Sequence, residues 1–577
     1  MREKLTSAVI YLFGLLNFIN PVLSGQEKNT EFISPVNIPL YLSGNFGELR
    51  SNHFHSGIDI KTRGVEGQPV RAVEDGYISR IKVETGGYGH AVYITHPDGL
   101  MSVYGHLKSF RKDISDYVKE AEYKEQNFTV DLFPERGKFT LKQGEVFAYS
   151  GNTGSSAGPH LHFELRRVID QHPLNVLKYG FDITDNIKPV IYNLNVYPLD
   201  EFSTVNGSNN TLRIKISGNN GRYTPDVKHI VVHGKTGFGI ETYDYLNGTH
   251  NRCGIYSIEM QVDNTTIYLQ KMDEISFAET RYVQSHIDYA ENLRLHRKIQ
   301  KTFIDPNNRL DIYKTLKNRG ILTFDDSLNH PVKFIVKDTY GNTSELNFTV
   351  NSSIEAPEEP VTEGEPFTKK MDWDTKNDFE TPNVKVSIPA GSLYRDLYFE
   401  YGVLPPGRDC ISHIYEIHNE YTPLQKYITL SVMPDTLPYR LEGKALLVTF
   451  DDQGNPVPEG GNYDNGFITT QTLDFGKYAV MIDTVPPSID PVNIYDHADM
   501  SHHHHISFHI DDNLSGIKKY EGYIDDQWVL FEYEPKFRLI DYKFDPKRLE
   551  KGKKHLLELY VTDEKDNISV YQANFTW

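Results

Sequence analysis

Hydrophobic residues along this chain alternate or cluster in short runs broken by glycine, aspartate and proline. Val70–Val73, Gly76–Val83, His90–Thr95 and Ser102–Tyr104 are such runs, and each predicts a β-strand. Asp75-Gly76 and Asp98-Gly99 predict tight turns between them, because glycine accepts positive φ at no steric cost. Apolar residues near helical spacing occur from Asp113 to Lys124, at Tyr117, Val118 and Ala121. That pattern predicts a helix, set inside an insertion running from about 108 to 142.

At 577 residues the chain exceeds the size at which one hydrophobic core keeps growing. The strand pattern divides it into a β-rich domain over 26–183, a second unit over 184–352, a β-rich unit over 383–484 and a final unit over 485–577. The second unit opens at Asn186–Pro189 and closes on Asp338-Thr-Tyr-Gly-Asn342. The last opens at Asp483–Pro487, passes Asp511-Asp-Asn and closes on Asp563-Glu-Lys-Asp-Asn567. This repeated grammar has sandwich spacing, and the architecture resembles immunoglobulin-like β-sandwich modules. Residues 353–382, with Pro357-Glu-Glu-Pro360 and Glu363-Gly-Glu-Pro366, are expected to be an extended connector. The fold class expected is mainly β, an antiparallel sheet domain followed by β-sandwich modules.

Composition supports this: Tyr (37) and Phe (30) are abundant, and aromatics favour strands. A formal net charge of -19 argues against a nucleic-acid partner, which needs clustered Lys and Arg. Residues 1–25 carry Arg2 and Lys4, an apolar run from Ala8 to Leu16, then Ser24-Gly25. That order predicts a cleaved secretory signal, since the run is well short of the about 20 residues that span a bilayer. A periplasmic or secreted protein is expected, with no integral membrane segment in the mature chain. Cys253 and Cys410 are the two cysteines; one disulfide or two free thiols both fit.

The chemistry lies in four segments: His55-Ser-Gly-Ile-Asp59, Tyr104-Gly-His106-Leu107, Gly151-Asn-Thr-Gly154 and Pro159-His160-Leu-His162. In a strand, positions i and i+2 share a face, so His160 and His162 project together. Gly57 and the β-branched Ile58 and Ile60 argue for extended backbone around His55 and Asp59, where i and i+4 also share a face. A catalytic zinc site needs three N or O ligands and an open position. His53 shares parity with His55, Glu164 with His162; for Glu164 a surface ion pair is the simpler expectation. The run His502–His505 is expected to bind metal only adventitiously, and Asp511–Asn513 to form an Asx turn.

These segments, in this order, resemble the lysostaphin-like (LytM-type) zinc endopeptidases, metallopeptidase family twenty-three, over roughly residues 40 to 180. The resemblance implies an exported metallo-endopeptidase that hydrolyses peptides of bacterial peptidoglycan. It implies zinc held by His55, Asp59 and His162, with His106 and His160 as unliganded catalytic histidines. Zinc would lower the pKa of water and polarise the scissile carbonyl, while the two histidines handle the proton and the oxyanion. The alternative is a non-catalytic relative that activates another cell-wall hydrolase. An envelope protein partner for the C-terminal modules is a further expectation, and an inhibitory role for the 108–142 insertion is a hypothesis.

Overall fold

The computed structural model describes residues 32–355 and 367–577; the expected signal segment lies outside the described residues. The chain is mainly β. Its first domain contains strands β1 (Leu42–Gly44), β2 (Ile58–Lys61), β3 (Pro69–Arg71), β4 (Gly76–Val83), β5 (His90–Thr95), β6 (Leu100–Gly105) and β7 (Leu107–Phe110). Helix α1 (Lys112–Glu125) follows, then β8 (Val130–Leu132), β9 (Thr140–Leu141), β10 (Val146–Ser150), β11 (His160–Arg167) and β12 (Pro173–Leu174).

The main sheet runs β1-β2-β11-β6-β5-β4-β8, with β12 beside β11 and β9 beside β4. The pairs along this path are antiparallel. A small sheet, β3-β10-β7, shares its core, where Ile58, Ile60, Val92, Tyr104, Phe147 and Phe163 are fully or almost fully buried. Alternation explains the arrangement: the inward residues of β2 and β11 are apolar, while Asp59 and His162 point to the other face.

The remaining chain forms three further β units. Residues 190–352 build a 12-stranded network around Leu194, Phe238, Tyr268 and Phe334. Two five-stranded sheets between 377 and 482 enclose Val386, Tyr415 and Leu430. A four-stranded and a five-stranded sheet between 488 and 576 pack over Phe508, Ile540 and Leu559. Strands Lys369–Met371 and Asn377–Glu380 stand where an extended connector was expected. Both cysteines are free, Cys253 buried and Cys410 half-buried.

Two of these units reach back to the first domain. Phe46, Leu49 and Phe54 share a core with Met272, Tyr282 and Leu310 of the second unit, so the segment before β2 is clamped from outside its own sheet. The final unit docks on α1. Arg548 stands 3.6 Å from the centre of the Tyr123 ring and 2.7 Å from Glu120, Lys119 pairs with Asp545 at 2.7 Å, and Tyr123 meets Trp528 edge-on. The insertion is thus a docking platform. A cation over an aromatic face contributes about 1 kcal/mol or more. We predict that Arg548→Ala speeds amide hydrogen exchange in α1 about fivefold, as read by mass spectrometry; unchanged exchange would show that the contact does not hold the helix.

Candidate metal centre

The centre is assembled by register. His162 of β11 stands opposite Asp59 of β2 on one side and opposite Gly105 of β6 on the other. Three adjacent strands therefore present Asp59, His162 and the Gly105-His106 corner in one row. His106 is the single residue between β6 and β7, with φ 57°. This left-handed conformation is uncommon for a residue with a Cβ, and here it carries the chain from the main sheet into the small one.

His55 arrives differently from the expected strand parity. It precedes β2 in a loop, and the chain bends at Gly57 to bring it over Asp59. Only glycine fits at that bend, since a Cβ on Gly57 would lie 2.2 Å from the carbonyl oxygen of Phe163. The result places His55 Nε2, Asp59 Oδ1 and His162 Nδ1 in a triangle: 3.0 Å from His55 to Asp59, 3.0 Å from His162 to Asp59 and 3.1 Å between the imidazoles. A tetrahedral zinc site with bonds of about 2.0–2.1 Å has ligand–ligand edges of about 3.3 Å. The donor types and their spacing fit such an ion. All three residues are buried.

Surrounding groups fix which atoms face the centre. The Nδ1–H of His55 donates to the Asn45 carbonyl at 2.8 Å, leaving Nε2 free. The Nε2–H of His162 donates to Glu164 at 2.7 Å, leaving Nδ1 to face Asp59 and the centre. Asp59 Oδ2 accepts from Arg50 at 2.8 Å, leaving Oδ1. Each ligand atom is thus set by a partner on its far side, as is general for metal-binding histidines.

Glu164 is fully buried, not on the surface as expected. Its oxygens also accept from Ser56 and Tyr88, each at 2.6 Å, and from Arg166 at 2.6 Å. Burial alone would raise its pKa; Arg166 and His162 outweigh that and hold it well below the usual carboxylate range. The same balance applies to His162. Burial opposes its charge, yet Asp59 and Glu164 push the metal-free imidazole up to about 9.

His106 and His160 stand beside this triangle with rings 4.7 Å apart. The Nδ1–H of His106 donates to the Thr153 carbonyl at 2.8 Å, and that of His160 to the Gly158 carbonyl at 2.8 Å. Nε2 is the nitrogen each has left. His160 Nε2 lies 3.4 Å from Asp59 Oδ1. Burial first, then the charges of His162 and His160, push the pKa of His106 in the metal-free site down to about 3. The Gly151–Gly154 loop supplies the Thr153 carbonyl. It packs so tightly that a Cβ on Gly154, where φ is +69°, would lie 2.3 Å from Gly89 N.

The five residues line a cleft of about 1020 Å³, walled also by Phe277 and Thr280 of the second unit. Those two lie outside every sequence motif, as do Asn45, Arg50 and Arg166. His53 is exposed at the cleft and bonds Asn52. His90 and His96 do not join the centre; His96 bonds Ser102 at 2.8 Å. His502–His505 are exposed and, among the described residues, form no metal-binding group. Asp512 accepts from Leu514 N and Gly516 N, the expected Asx turn.

Two predictions follow from the hydrogen bonds to His162. Glu164→Gln should weaken metal affinity about 10- to 100-fold in chelator competition, whereas unchanged affinity would show that Glu164 does not tune the ligand. Binding at Nδ1 must also displace the proton that His162 carries below about 9. Apparent affinity should therefore rise about tenfold per pH unit from pH 6 to 8; a flat profile would contradict this.

Residues 53–123 match the model for peptidase family M23, and residues 368–483 match that for a Zu5-like domain. The Zu5-like match falls on the unit expected as β-rich over 383–484, and it begins within the expected connector. The DD-carboxypeptidase/endopeptidase Mpg of Neisseria meningitidis is 34% identical over 26% of this chain and 29% of that relative. The glycyl-glycine endopeptidase ALE-1 of Staphylococcus capitis is 28% identical over 25% of this chain and 35% of its own length. A zinc-containing peptidase from Vibrio cholerae aligns at 23% identity over 26% of this chain and 40% of that one, with a TM-score of 0.20. The chain spans about a third of the length of the two curated relatives named.

Proposed function

We propose that this chain, which carries a domain of peptidase family M23, is an exported zinc endopeptidase that cuts peptide bonds in bacterial cell-wall peptidoglycan. The observation that carries the proposal is the triangle of His55 Nε2, Asp59 Oδ1 and His162 Nδ1, with edges of 3.0, 3.0 and 3.1 Å, beside two histidines whose Nε2 atoms are not committed to the backbone. Zinc held by His55, Asp59 and His162 would supply a Lewis acid, lowering the pKa of water toward about 7 and polarising a carbonyl.

The chain's own residues do the rest. His106 and His160 both line the cleft, and each has its Nδ1–H anchored on a backbone carbonyl. The Nε2 lone pair of either can accept a proton from the attacking water. Once protonated, the same Nε2–H donates to the oxyanion or to the leaving amine. The anchors matter because they hold both rings in one tautomer before substrate arrives, so little reorganisation remains.

Support for a wall-peptide substrate comes from the two curated relatives, one named a DD-carboxypeptidase/endopeptidase and the other a glycyl-glycine endopeptidase. Export rests on the order of residues in 1–25. Among the described residues, no helix is long and apolar enough to cross a membrane.

The deciding experiment is digestion of purified peptidoglycan, with product masses read by mass spectrometry. Zinc-loaded protein should release peptide fragments whose masses identify the bond cut, and His162→Ala should release none. If the zinc-loaded protein releases nothing while still binding cell wall or another wall hydrolase, the non-catalytic alternative replaces this reading.

A further inference from the structure

Three carboxylates away from the metal centre converge where the chain enters its second unit. Asp185 lies in the entry segment, Asp244 directly follows the strand Val231–Tyr243, and Asp338 directly follows Asn329–Lys337. One oxygen of each lies within 4.8 Å of the other two. Asp244 and Asp338 are each 2% exposed and Asp185 is half-buried.

Their hydrogen bonds leave two carboxylate oxygens without a donor. Asp338 accepts from the backbone and side-chain nitrogens of Asn342 at 2.8 and 2.6 Å, and Asp185 Oδ1 accepts from Ile187 N at 2.9 Å. Asp244 Oδ1 and Asp185 Oδ2 are buried with no partner. The charged groups that act on Asp244 are Asp185 and Asp338, and the one that acts on Asp185 is Asp338; backbone N–H is the other influence named at each. A buried carboxylate oxygen without a donor is costly, and three such groups together repel.

A cation removes both penalties. The donors are all oxygen, which selects a hard ion over zinc. Three carboxylates brought together from separate chain segments suit calcium, which takes six to eight oxygens at about 2.3–2.6 Å in flexible geometry, better than magnesium, which demands a near-octahedral shell. We propose that Asp185, Asp244 and Asp338 bind a calcium ion that ties the entry segment of the second unit to two of its strand ends.

The position gives the ion a structural task toward the peptidase domain. Asp244 and Cys253 exchange backbone hydrogen bonds of 3.0 and 2.9 Å. The next residue, Gly254, donates to Asn45 Oδ1 at 2.7 Å and accepts from Asn45 Nδ2 at 2.8 Å. The carbonyl of Asn45 receives the Nδ1–H of His55. An ion at Asp244 therefore braces the hairpin that seats the loop carrying His55.

The arrangement recurs at Asp483, Asp512 and Asp563. There Asn567 bonds Asp563 and the Asp483 carbonyl as Asn342 bonds Asp338 and the Asp185 carbonyl. This is the physical content of the repeated sequence grammar. At the second cluster Lys565 lies close enough to be attracted by Asp483 and Asp563, and both Asp483 oxygens already accept from backbone N–H of Val485 and Ser515. The calcium site is therefore assigned to the first cluster alone.

The test is isothermal titration of CaCl2 into the zinc-loaded full-length protein, with thermal unfolding in parallel. Wild type should bind calcium with a Kd of about 1 mM or tighter, the range of extracellular modules, and bind MgCl2 more weakly. Asp244→Asn and Asp338→Asn should each weaken one site at least about tenfold and abolish a calcium-induced rise in unfolding temperature of about 2 °C or more. No binding by wild type up to about 10 mM CaCl2, tighter binding of magnesium, or unchanged affinity in Asp244→Asn would overturn the proposal. If the variants fail to fold, hydrogen exchange on wild type decides: amides of residues 244–254 should be protected by calcium, and equal exchange with and without it counts against the site.

Discussion

The antiparallel register of β2 against β11 sets Asp59 directly across from His162, and the register of β11 against β6 sets His162 across from Gly105. Side chains on a strand alternate with period two, so a slip of one residue would turn His160 and His162 into the core and expose Leu161 and Phe163. Burial of those apolar residues on the opposite face, both fully enclosed, is what makes the slip costly. The candidate metal centre is thus a by-product of core packing. Its precision comes from hydrophobic residues that never touch it.

Electrostatics then separates the histidines into two kinds. His162 is wedged between the carboxylates of Asp59 and Glu164 and bonds both. Glu164 tolerates full burial because Arg166, Tyr88 and Ser56 satisfy it along with His162, and a buried polar network of this sort stabilises only when every member is paired. His106 and His160 lean on backbone carbonyls instead. A neutral acceptor holds the ring without committing its charge, which suits the proton-handling role proposed for both.

Much of the centre was legible because it depends on local pattern. His160-Leu-His162 followed from strand parity alone, and helix α1 from apolar spacing. The convergence of His55 on Asp59 was not a matter of parity, since it needs a bend at Gly57 forced by the Phe163 carbonyl across the sheet. Glu164 could not be placed without knowing that β11 is central, with Arg166 two residues on and Tyr88 arriving from another turn. Phe277 and Thr280 reach the cleft only because Phe46, Leu49 and Phe54 share a core with the second unit. Contacts so distant in sequence leave no periodic trace. The proline-rich part of the expected connector at 353–382 lies outside the described residues, while its last part forms two short strands that pair with Leu397–Phe399 and Val384–Ile388, partners that local composition does not reveal.

The central claim is a division of labour among five residues, three holding metal and two handling protons. Atomic absorption on purified single variants, combined with peptide-release rates, tests it most directly. His106→Ala and His160→Ala should each keep about one zinc per chain while turnover falls by about 10²–10⁴, and His55→Ala, Asp59→Ala and His162→Ala should lose the metal. Loss of zinc from His106→Ala, or full zinc retained by His162→Ala, would contradict the assignment.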